Sequence, residues 1–120
     1  MTKILIVDDH PDIRRLLSIT LGKGFELLEA NEGETALALA QSNRPDIIIL
    51  DVMMPGALNG LQVLDQVKAD PNLIYTKVIM VTACGQASDY EEGIRHGADD
   101  YFIKPFSTLK LLNRIKELTL

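Results

Sequence analysis

The chain has 120 residues, 47% of them hydrophobic, and a formal net charge of -5 at pH 7. This length predicts one domain over residues 1–120, because the chain can bury a core but is too short for two domains. The negative charge disfavours direct binding to the phosphate backbone of nucleic acid. The apolar runs are too short to cross a bilayer, so we expect no membrane span.

Cysteine usage and the N-terminal residues indicate the compartment. Cys84 is the single cysteine of the sequence, so no internal disulfide can form. Met1 leads directly into a predicted strand, without the charged and apolar regions of a signal peptide. We therefore expect a cytoplasmic protein.

The first half of the chain reads as three strands separated by two helices. Residues 3–7 form a short apolar run, typical of a strand buried on both faces. Pro11 occupies a position that helices favour in their first turn, and an apolar stripe then continues to Leu21 before glycines end it. A weaker strand at residues 25–30, an alanine-rich helix at 34–42 and a third strand at 46–50 follow.

The second half continues the alternation. It predicts an amphipathic helix at residues 60–70, a strand at 75–82, a short polar helix at 88–96, a strand at 101–103 and a terminal helix at 109–118. Five strands alternating with five helices predict an α/β sandwich with a parallel sheet and right-handed crossovers. Periodicity does not fix the strand order, but the doubly wound, flavodoxin-like order 2-1-3-4-5 is a common solution for a (βα)5 chain.

Polar side chains stand at the ends of four predicted strands. They are Asp8 and Asp9 after the first strand, Asp51 after the third, Thr82 in the fourth and Lys104 after the fifth. Each could be an ordinary helix cap or surface residue when taken alone. In a sheet of order 2-1-3-4-5, however, these strands are neighbours and their carboxyl ends meet at one rim. Five such groups at one rim favour a functional site.

The chemistry of this set points to phosphoryl transfer. Three clustered carboxylates repel one another and favour a compensating hard cation such as Mg²⁺. We expect no histidine or cysteine among them, which argues against zinc. His10 follows the acidic pair and could contact the site, but an exposed position at a helix start explains this residue equally well. A carboxylate beside Mg²⁺ can attack phosphorus, while an amine and a hydroxyl stabilise the phosphoryl oxygens.

An ordered set of short motifs carries a resemblance to a known family. The motifs are VDD at residues 7–9, LDVMMP at 50–55, VTA at 81–83 and GADDYFIKPF at 97–106. Together they resemble the receiver domain of bacterial two-component response regulators, and they span nearly the whole chain. The resemblance implies a signalling switch that is controlled by phosphorylation.

The resemblance also implies a role for each residue of the set. Asp51 is the expected phosphoacceptor, which receives its phosphoryl group from a sensor histidine kinase or a histidine phosphotransfer protein. The expected Mg²⁺ ligands are Asp8, Asp9, Asp51 and the backbone carbonyl of Met53. The expected phosphoryl-binding residues are Thr82, Ala83 and Lys104.

The switching residues follow from the same resemblance. Thr82 and Tyr101 are the expected switch pair, in which the ring of Tyr101 turns inward when Thr82 moves. The peptide before Pro105 is expected to be cis. The implied contact surface for a downstream protein comprises the fourth helix, the fifth strand and the fifth helix, and we expect a monomer or a weak dimer formed on phosphorylation. We expect no enzyme activity beyond assistance to its own phosphorylation and dephosphorylation.

Two departures from the family pattern lie beside the site. One residue more than the usual number separates Pro55 from Gly60, which predicts an unusual loop shape. Met53 and Cys84 occupy positions that influence how water reaches the acyl phosphate in the family, and neither side chain can orient water strongly. We therefore predict slow self-dephosphorylation.

Three other functions fit the sequence less well. Phosphatases of the haloacid-dehalogenase type carry a second Asp where this chain has Met53, and they enclose their substrates with a cap domain. Nucleotide or flavin binding is disfavoured because neither G-x-G-x-x-G nor G-x-x-x-x-G-K-[ST] occurs in the sequence. A scaffold that is never phosphorylated is less favoured, because all five functional side chains are present.

Overall fold

The computed structural model describes residues 1–54, 56–83 and 87–119, with only the backbone for residues 87–90. Its strands are β1 (Lys3–Val7), β2 (Glu26–Ala30), β3 (Ile47–Leu50), β4 (Lys77–Thr82) and β5 (Asp100–Ile103). Its helices are α1 (Pro11–Leu21), α2 (Gly33–Asn43), α3 (Gly60–Ala69), α4 (Ala87–Arg95) and α5 (Thr108–Leu118). Short 3-10 helices at Gly22–Gly24 and Pro71–Leu73 add to the elements predicted from sequence.

The five strands form one parallel sheet in the order β2-β1-β3-β4-β5. The predicted α/β class and the flavodoxin-like strand order are therefore confirmed. The register pairs Val7 with Leu50 and Leu50 with Met80, so that β1 and β3 end at the same level and β4 continues two residues further, to Thr82. Residues that follow these strands consequently meet at one rim.

Two apolar clusters cover the two faces of the sheet. Alternate side chains of β3 pack on opposite faces of the sheet. Ile48 and Leu50 belong to one cluster, and Ile47 and Ile49 belong to the other. Helices α2 and α3 pack on the first face, and α1 and α5 pack on the second. This double burial explains why the strands read as continuous apolar runs.

The largest boundary difference occurs before β4. The apolar character of residues 74–76 predicts a strand from residue 75, but the strand begins at Lys77. Ile74 and Tyr75 are exposed, and the hydroxyl of buried Thr76 donates a 2.7 Å hydrogen bond to the carbonyl of Pro45. Hydrophobicity alone therefore overestimated the length of this strand.

The start of α3 is defined by side-chain capping and by a close backbone approach. Asn59 and Gln62 form a capping box, in which each side chain accepts a hydrogen bond from the other's backbone N–H. A Cβ atom at Gly60 would collide with the backbone carbonyl of Asp51. Glycine at this position lets the helix begin directly beside the end of β3. Among the described residues, no helix has both the length and the hydropathy to cross a membrane.

Candidate functional site

The carboxyl ends of β1, β3, β4 and β5 bring the five polar residues predicted from sequence to one rim. The backbone N–H of Asp51 donates to the carbonyl of Val7 at 3.0 Å, which places this carboxylate directly beside Asp8. The backbone N–H of Lys104 donates to the carbonyl of Thr82 at 2.8 Å. Backbone hydrogen bonds that continue the strand pairing therefore align these side chains.

Lys104 bridges two buried carboxylates. Its Nζ atom lies 2.8 Å from Oδ2 of Asp8 and 3.1 Å from Oδ2 of Asp51. The side chains of both aspartates are only 4% exposed and that of Lys104 is 15% exposed. The ammonium group thus compensates two negative charges in a largely dehydrated position, which is the condition under which charge pairing is strong.

The surroundings change the pKa values of two of these groups. Burial is the largest influence on Asp51, and it raises the pKa of this carboxyl above 3.8. Hydrogen bonds from Met53 and Lys104 lower the pKa, whereas the charge of Asp8 raises it. The net effect is a raised pKa. Burial alone would lower the pKa of Lys104. The hydrogen bonds and charges of Asp8 and Asp51 outweigh it and raise that pKa above 10.5. The lysine is therefore firmly cationic, whereas the cost of ionising Asp51 remains partly uncompensated.

His10 belongs to this cluster, contrary to the expectation that no histidine accompanies the carboxylates. Its backbone N–H donates to Oδ1 of Asp8 at 2.9 Å, and its Nδ1 atom lies 3.0 Å from the same oxygen. The expectation was wrong because the chain reverses after Asp8 to enter α1, which returns the imidazole to the carboxylates. The adjacency of His10 to the acidic pair was the sequence signal.

Asp9 presents an oxygen atom that lacks a hydrogen-bond partner. Oδ1 of Asp9 is buried, and among the described residues it accepts no hydrogen bond. The Nδ1 atom of His10 lies 3.1 Å away, but its hydrogen bond is made to Asp8 instead. A buried carboxylate oxygen without a donor is costly unless a cation compensates it.

The cluster fits a divalent cation. Asp8, Asp9, His10 and Asp51 each offer one ligand atom, and these four atoms all lie within 4.8 Å of one another. Three carboxylates suit the oxygen preference of Mg²⁺. The unpaired oxygen of Asp9 and the excess of negative charge give the same indication. The residues present therefore fit the metal that the sequence motifs predict.

An open cavity of about 510 Å³ lies over the cluster. Its lining residues are Asp9, His10, Ile13, Asp51, Met53, Ala83 and Lys104. Met53 donates its backbone N–H to Oδ1 of Asp51 at 3.0 Å, while its side chain is 63% exposed. The cavity leaves room for a phosphoryl group to approach Asp51 from the solvent side.

Thr82 lies at the end of β4, and Tyr101 lies in the neighbouring strand β5. Thr82 is fully buried at the end of β4, and Tyr101 is only 7% exposed and packs with the core cluster that includes Met80. The ring of Tyr101 is therefore turned inward in this structure. The peptide between Lys104 and Pro105 is cis.

The longer loop after β3 packs onto the start of α2. A Cβ atom at Gly33 would lie 2.8 Å from both the Cβ and the carbonyl oxygen of Leu58, so the two backbones approach closely. Gly56 has a φ of 99°, which favours glycine. Leu58 packs against the core cluster on this face of the sheet. The predicted role of Cys84 lies outside the described residues.

Comparison with known proteins identifies relatives of this chain. Residues 4–116 match the family described as Response regulator receiver domain. The transcriptional regulatory protein SrrA of Staphylococcus aureus is 42% identical over 117 residues, which cover 97% of this chain and 47% of SrrA. The phosphate regulon transcriptional regulatory protein PhoB of Pseudomonas aeruginosa is 40% identical over 114 residues, covering 94% of this chain and 49% of PhoB. The chain spans about half the length of these relatives.

Solved structures show the same likeness. Chemotaxis protein CheY4 of Vibrio cholerae has a TM-score of 0.89 and 35% identity, over 98% of each chain. The receiver domain of the Francisella response regulator 1452 has a TM-score of 0.90 and 32% identity, over 98% of this chain and 96% of that one. The resemblance inferred from the motifs is confirmed. The chain belongs to the receiver domain family of two-component response regulators, which serves in signalling.

Proposed function

We propose that this receiver domain accepts a phosphoryl group on Asp51 and that phosphorylation changes the surface it presents to a partner. The observation that carries the proposal is the position of Lys104, whose ammonium lies 3.1 Å from Asp51 and 2.8 Å from Asp8 beneath an open cavity. A cation at this distance can stabilise the additional negative charge of a phosphoryl group on Asp51.

Response regulators are phosphorylated by histidine kinases. We propose that a sensor histidine kinase or a histidine phosphotransfer protein is the donor here. A carboxylate oxygen of Asp51 attacks the phosphorus, a P–O bond forms as the P–N bond of the phosphohistidine breaks, and the released imidazole nitrogen takes up a proton. The product is an acyl phosphate on Asp51. The chain acts on no other substrate, and it assists only its own phosphorylation and dephosphorylation.

The proposed Mg²⁺ ligands are Asp8, Asp9, Asp51 and the backbone carbonyl of Met53. When bound, the ion supplies positive charge that offsets the repulsion between the carboxylates and the incoming phosphoryl oxygens. The chain itself holds Asp8 in place with the N–H of His10, and Arg14 donates to the backbone carbonyl of Asp8 at 2.7 Å. These contacts fix Asp8 before any ion binds.

The phosphoryl oxygens would be held by Lys104 and Thr82, with Ala83 leaving room for them. Movement of Thr82 would alter the packing of Tyr101 and thereby the surface of α4, β5 and α5. Phosphorylation can shift the equilibrium between two conformations of this face only if the phosphoryl group makes different contacts in each conformation. We propose that a downstream protein binds there.

Assembly and location complete the proposal. On α5, Arg114 forms an ion pair within the chain, with its Nε atom 2.7 Å from Asp100. This ion pair competes with any pairing to a second subunit. We propose a monomer or a weak dimer formed on phosphorylation, without direct binding to nucleic acid or membrane. The low cysteine content supports a cytoplasmic location.

The proposal can be tested by labelling. The protein is incubated with acetyl phosphate and Mg²⁺, and its intact mass is compared with those of Asp51→Asn and Asp12→Asn. Asp12 lies exposed on α1 and provides a matched loss of one carboxylate. We expect one phosphoryl group on the native chain and on Asp12→Asn, removed by hydroxylamine, and none on Asp51→Asn.

Other outcomes would contradict the proposal. Equal labelling of Asp51→Asn would exclude Asp51 as the acceptor. Repeated turnover of varied phosphoesters would indicate a phosphatase. Absence of labelling in the native chain, together with retained binding to a partner, would indicate an unphosphorylated scaffold.

A further inference from the structure

The histidine beside the acidic pair distinguishes this cluster from one made only of carboxylates. The Nδ1 atom of His10 lies 3.0 Å from Oδ1 of Asp8 and 3.1 Å from Oδ1 of Asp9. One ring nitrogen therefore stands between two carboxylate oxygens that belong to the proposed cation site. The same position would let this nitrogen reach a cation held by those oxygens.

We propose that His10 is a ligand of the bound divalent cation, and that its imidazole makes this site favour transition-metal ions such as Zn²⁺ more than its carboxylates alone would. The inference rests on the cation site proposed above and deepens it. It concerns which ion the site accepts and does not depend on phosphorylation.

The geometry supports direct ligation. The four candidate ligand atoms lie within 4.8 Å of one another. Ligands on opposite sides of an ion are separated by about 4.2 Å when each metal–ligand distance is about 2.1 Å. A convergence of roughly half an ångström would therefore complete the site. The side chain of His10 is 62% exposed, so little packing opposes that movement.

Asp9 provides an independent sign that a ligand belongs here. Its Oδ1 atom is buried, and within the described part of the chain it receives no hydrogen bond. The imidazole does not satisfy it, because Nδ1 hydrogen-bonds Oδ1 of Asp8 when it carries a proton and donates no hydrogen bond when it does not. In the unprotonated form Nδ1 is a metal ligand. A cation between Asp9 and His10 would complete the coordination of both groups.

The chemistry of the donor set decides the preference among ions. Carboxylate oxygens suit Mg²⁺, whereas imidazole nitrogen suits zinc, copper, iron and nickel. Removing the imidazole should therefore weaken Zn²⁺ binding far more than Mg²⁺ binding.

The test uses metal titrations of the full chain after its metal has been removed. Zn²⁺ and Mg²⁺ are titrated calorimetrically into the native protein, His10→Ala and His96→Ala. His96 is a matched control, because its Nδ1 atom also contacts a carboxylate, at 2.5 Å from Asp65, but lies outside the acidic cluster. In parallel, the imidazole ¹⁵N resonances of the native chain are recorded with and without Zn²⁺.

We expect Zn²⁺ to shift the Nδ1 resonance of His10. His10→Ala should weaken Zn²⁺ binding at least about tenfold and Mg²⁺ binding less than about twofold, whereas His96→Ala should change neither at the cluster. Unchanged His10 resonances at saturating Zn²⁺ would overturn the inference even if the variant failed to fold. Equal weakening of both ions in His10→Ala would overturn it as well.

The outcome is separable from that of the labelling experiment. Labelling of Asp51 in Mg²⁺ together with unchanged His10 resonances would remove only the role of His10. A shifted His10 resonance without any labelling of Asp51 would retain the metal site and remove the phosphoacceptor.

Discussion

The ring of Tyr101 packs directly against the backbone of Gly93, so that a Cβ atom at position 93 would lie 3.1 Å and 3.3 Å from two ring carbons. Gly93 lies in α4 and Tyr101 in β5, and these elements belong to the proposed partner surface. The absence of a side chain at position 93 is therefore what makes room for the inward position of the ring.

Gly93→Ala should push the ring of Tyr101 out of this position. The added methyl group requires a displacement of a few tenths of an ångström, and a ring can rotate more easily than a helix can move. Alanine also favours the helical state by about 1 kcal/mol over glycine, so we expect little net loss of stability. Ring resonances of ¹³C-labelled tyrosine, assigned with Tyr101→Phe, would report the movement.

The control places Gly93→Ala in a Tyr101→Ala background. There the methyl group meets no ring, and the stabilisation of about 1 kcal/mol from helix propensity should appear in full. Unchanged Tyr101 resonances in the single variant would show that α4, and not the ring, moves.

Gly33→Ala should disturb the loop that follows Asp51. The new Cβ atom would lie 2.8 Å from Leu58 backbone and side-chain atoms, and the backbone cannot yield as a flexible side chain would. We expect a loss of stability of about 1–3 kcal/mol, typical of overpacking, and slower labelling of Asp51 by acetyl phosphate. Urea unfolding and intact mass measure the two effects.

Gly24→Ala is the matched control for this variant. A Cβ atom at position 24 would have nothing within 4 Å. We expect stability within about 0.5 kcal/mol of the native chain and a normal labelling rate, as for surface substitutions. If Gly33→Ala is less stable but is labelled at the native rate, the packing of the loop does not affect the chemistry of Asp51.

Asp51→Asn should stabilise the metal-free protein at neutral pH. Because the fold raises the pKa of Asp51 above 3.8, ionisation of this carboxyl favours the unfolded chain at pH values above the raised pKa. The gain from asparagine should be full at pH values above the raised pKa, shrink as the pH falls through that pKa, and vanish below 3.8, where the carboxyl is protonated in both states.

Urea unfolding in the presence of a chelator, at neutral and at acidic pH, measures this dependence. Asp12→Asn changes an exposed carboxylate and should show no comparable gain. A less stable Asp51→Asn protein at neutral pH would mean that the ion pair with Lys104 outweighs the burial of the carboxylate.

The acyl phosphate on Asp51 should be long-lived. Met53 lines the cavity with a thioether side chain that is 63% exposed, and such a group cannot orient an attacking water. We expect a phosphoryl lifetime of minutes or longer, and a lifetime shortened by about tenfold in Met53→Asn, whose amide can position water.

Decay of the phosphorylated intact mass after removal of acetyl phosphate measures the lifetime. Ile74→Asn, at an exposed apolar position in the segment before β4, is the control and should leave the decay unchanged. A native lifetime of only seconds would refute the prediction.

The sequence alone determined the alternation of elements and the polar residues at the strand ends. These features are local, because strands buried on both faces read as short apolar runs and the residue that ends such a run stands out. The ordered set of four motifs, at residues 7–9, 50–55, 81–83 and 97–106, was sufficient to identify the family. The extra residue before Gly60 was also visible, although its effect on the loop was not.

Tertiary structure decided what depends on distant parts of the chain meeting. The strand order follows from packing, and periodicity left it open. The inclusion of His10 among the acidic groups depends on the turn into α1, and the inward position of Tyr101 depends on the space at Gly93. The close approach of Leu58 to Gly33 likewise depends on two distant segments meeting. Sequence patterns report which face of an element is buried, whereas contacts between elements arise only when the chain closes around its core.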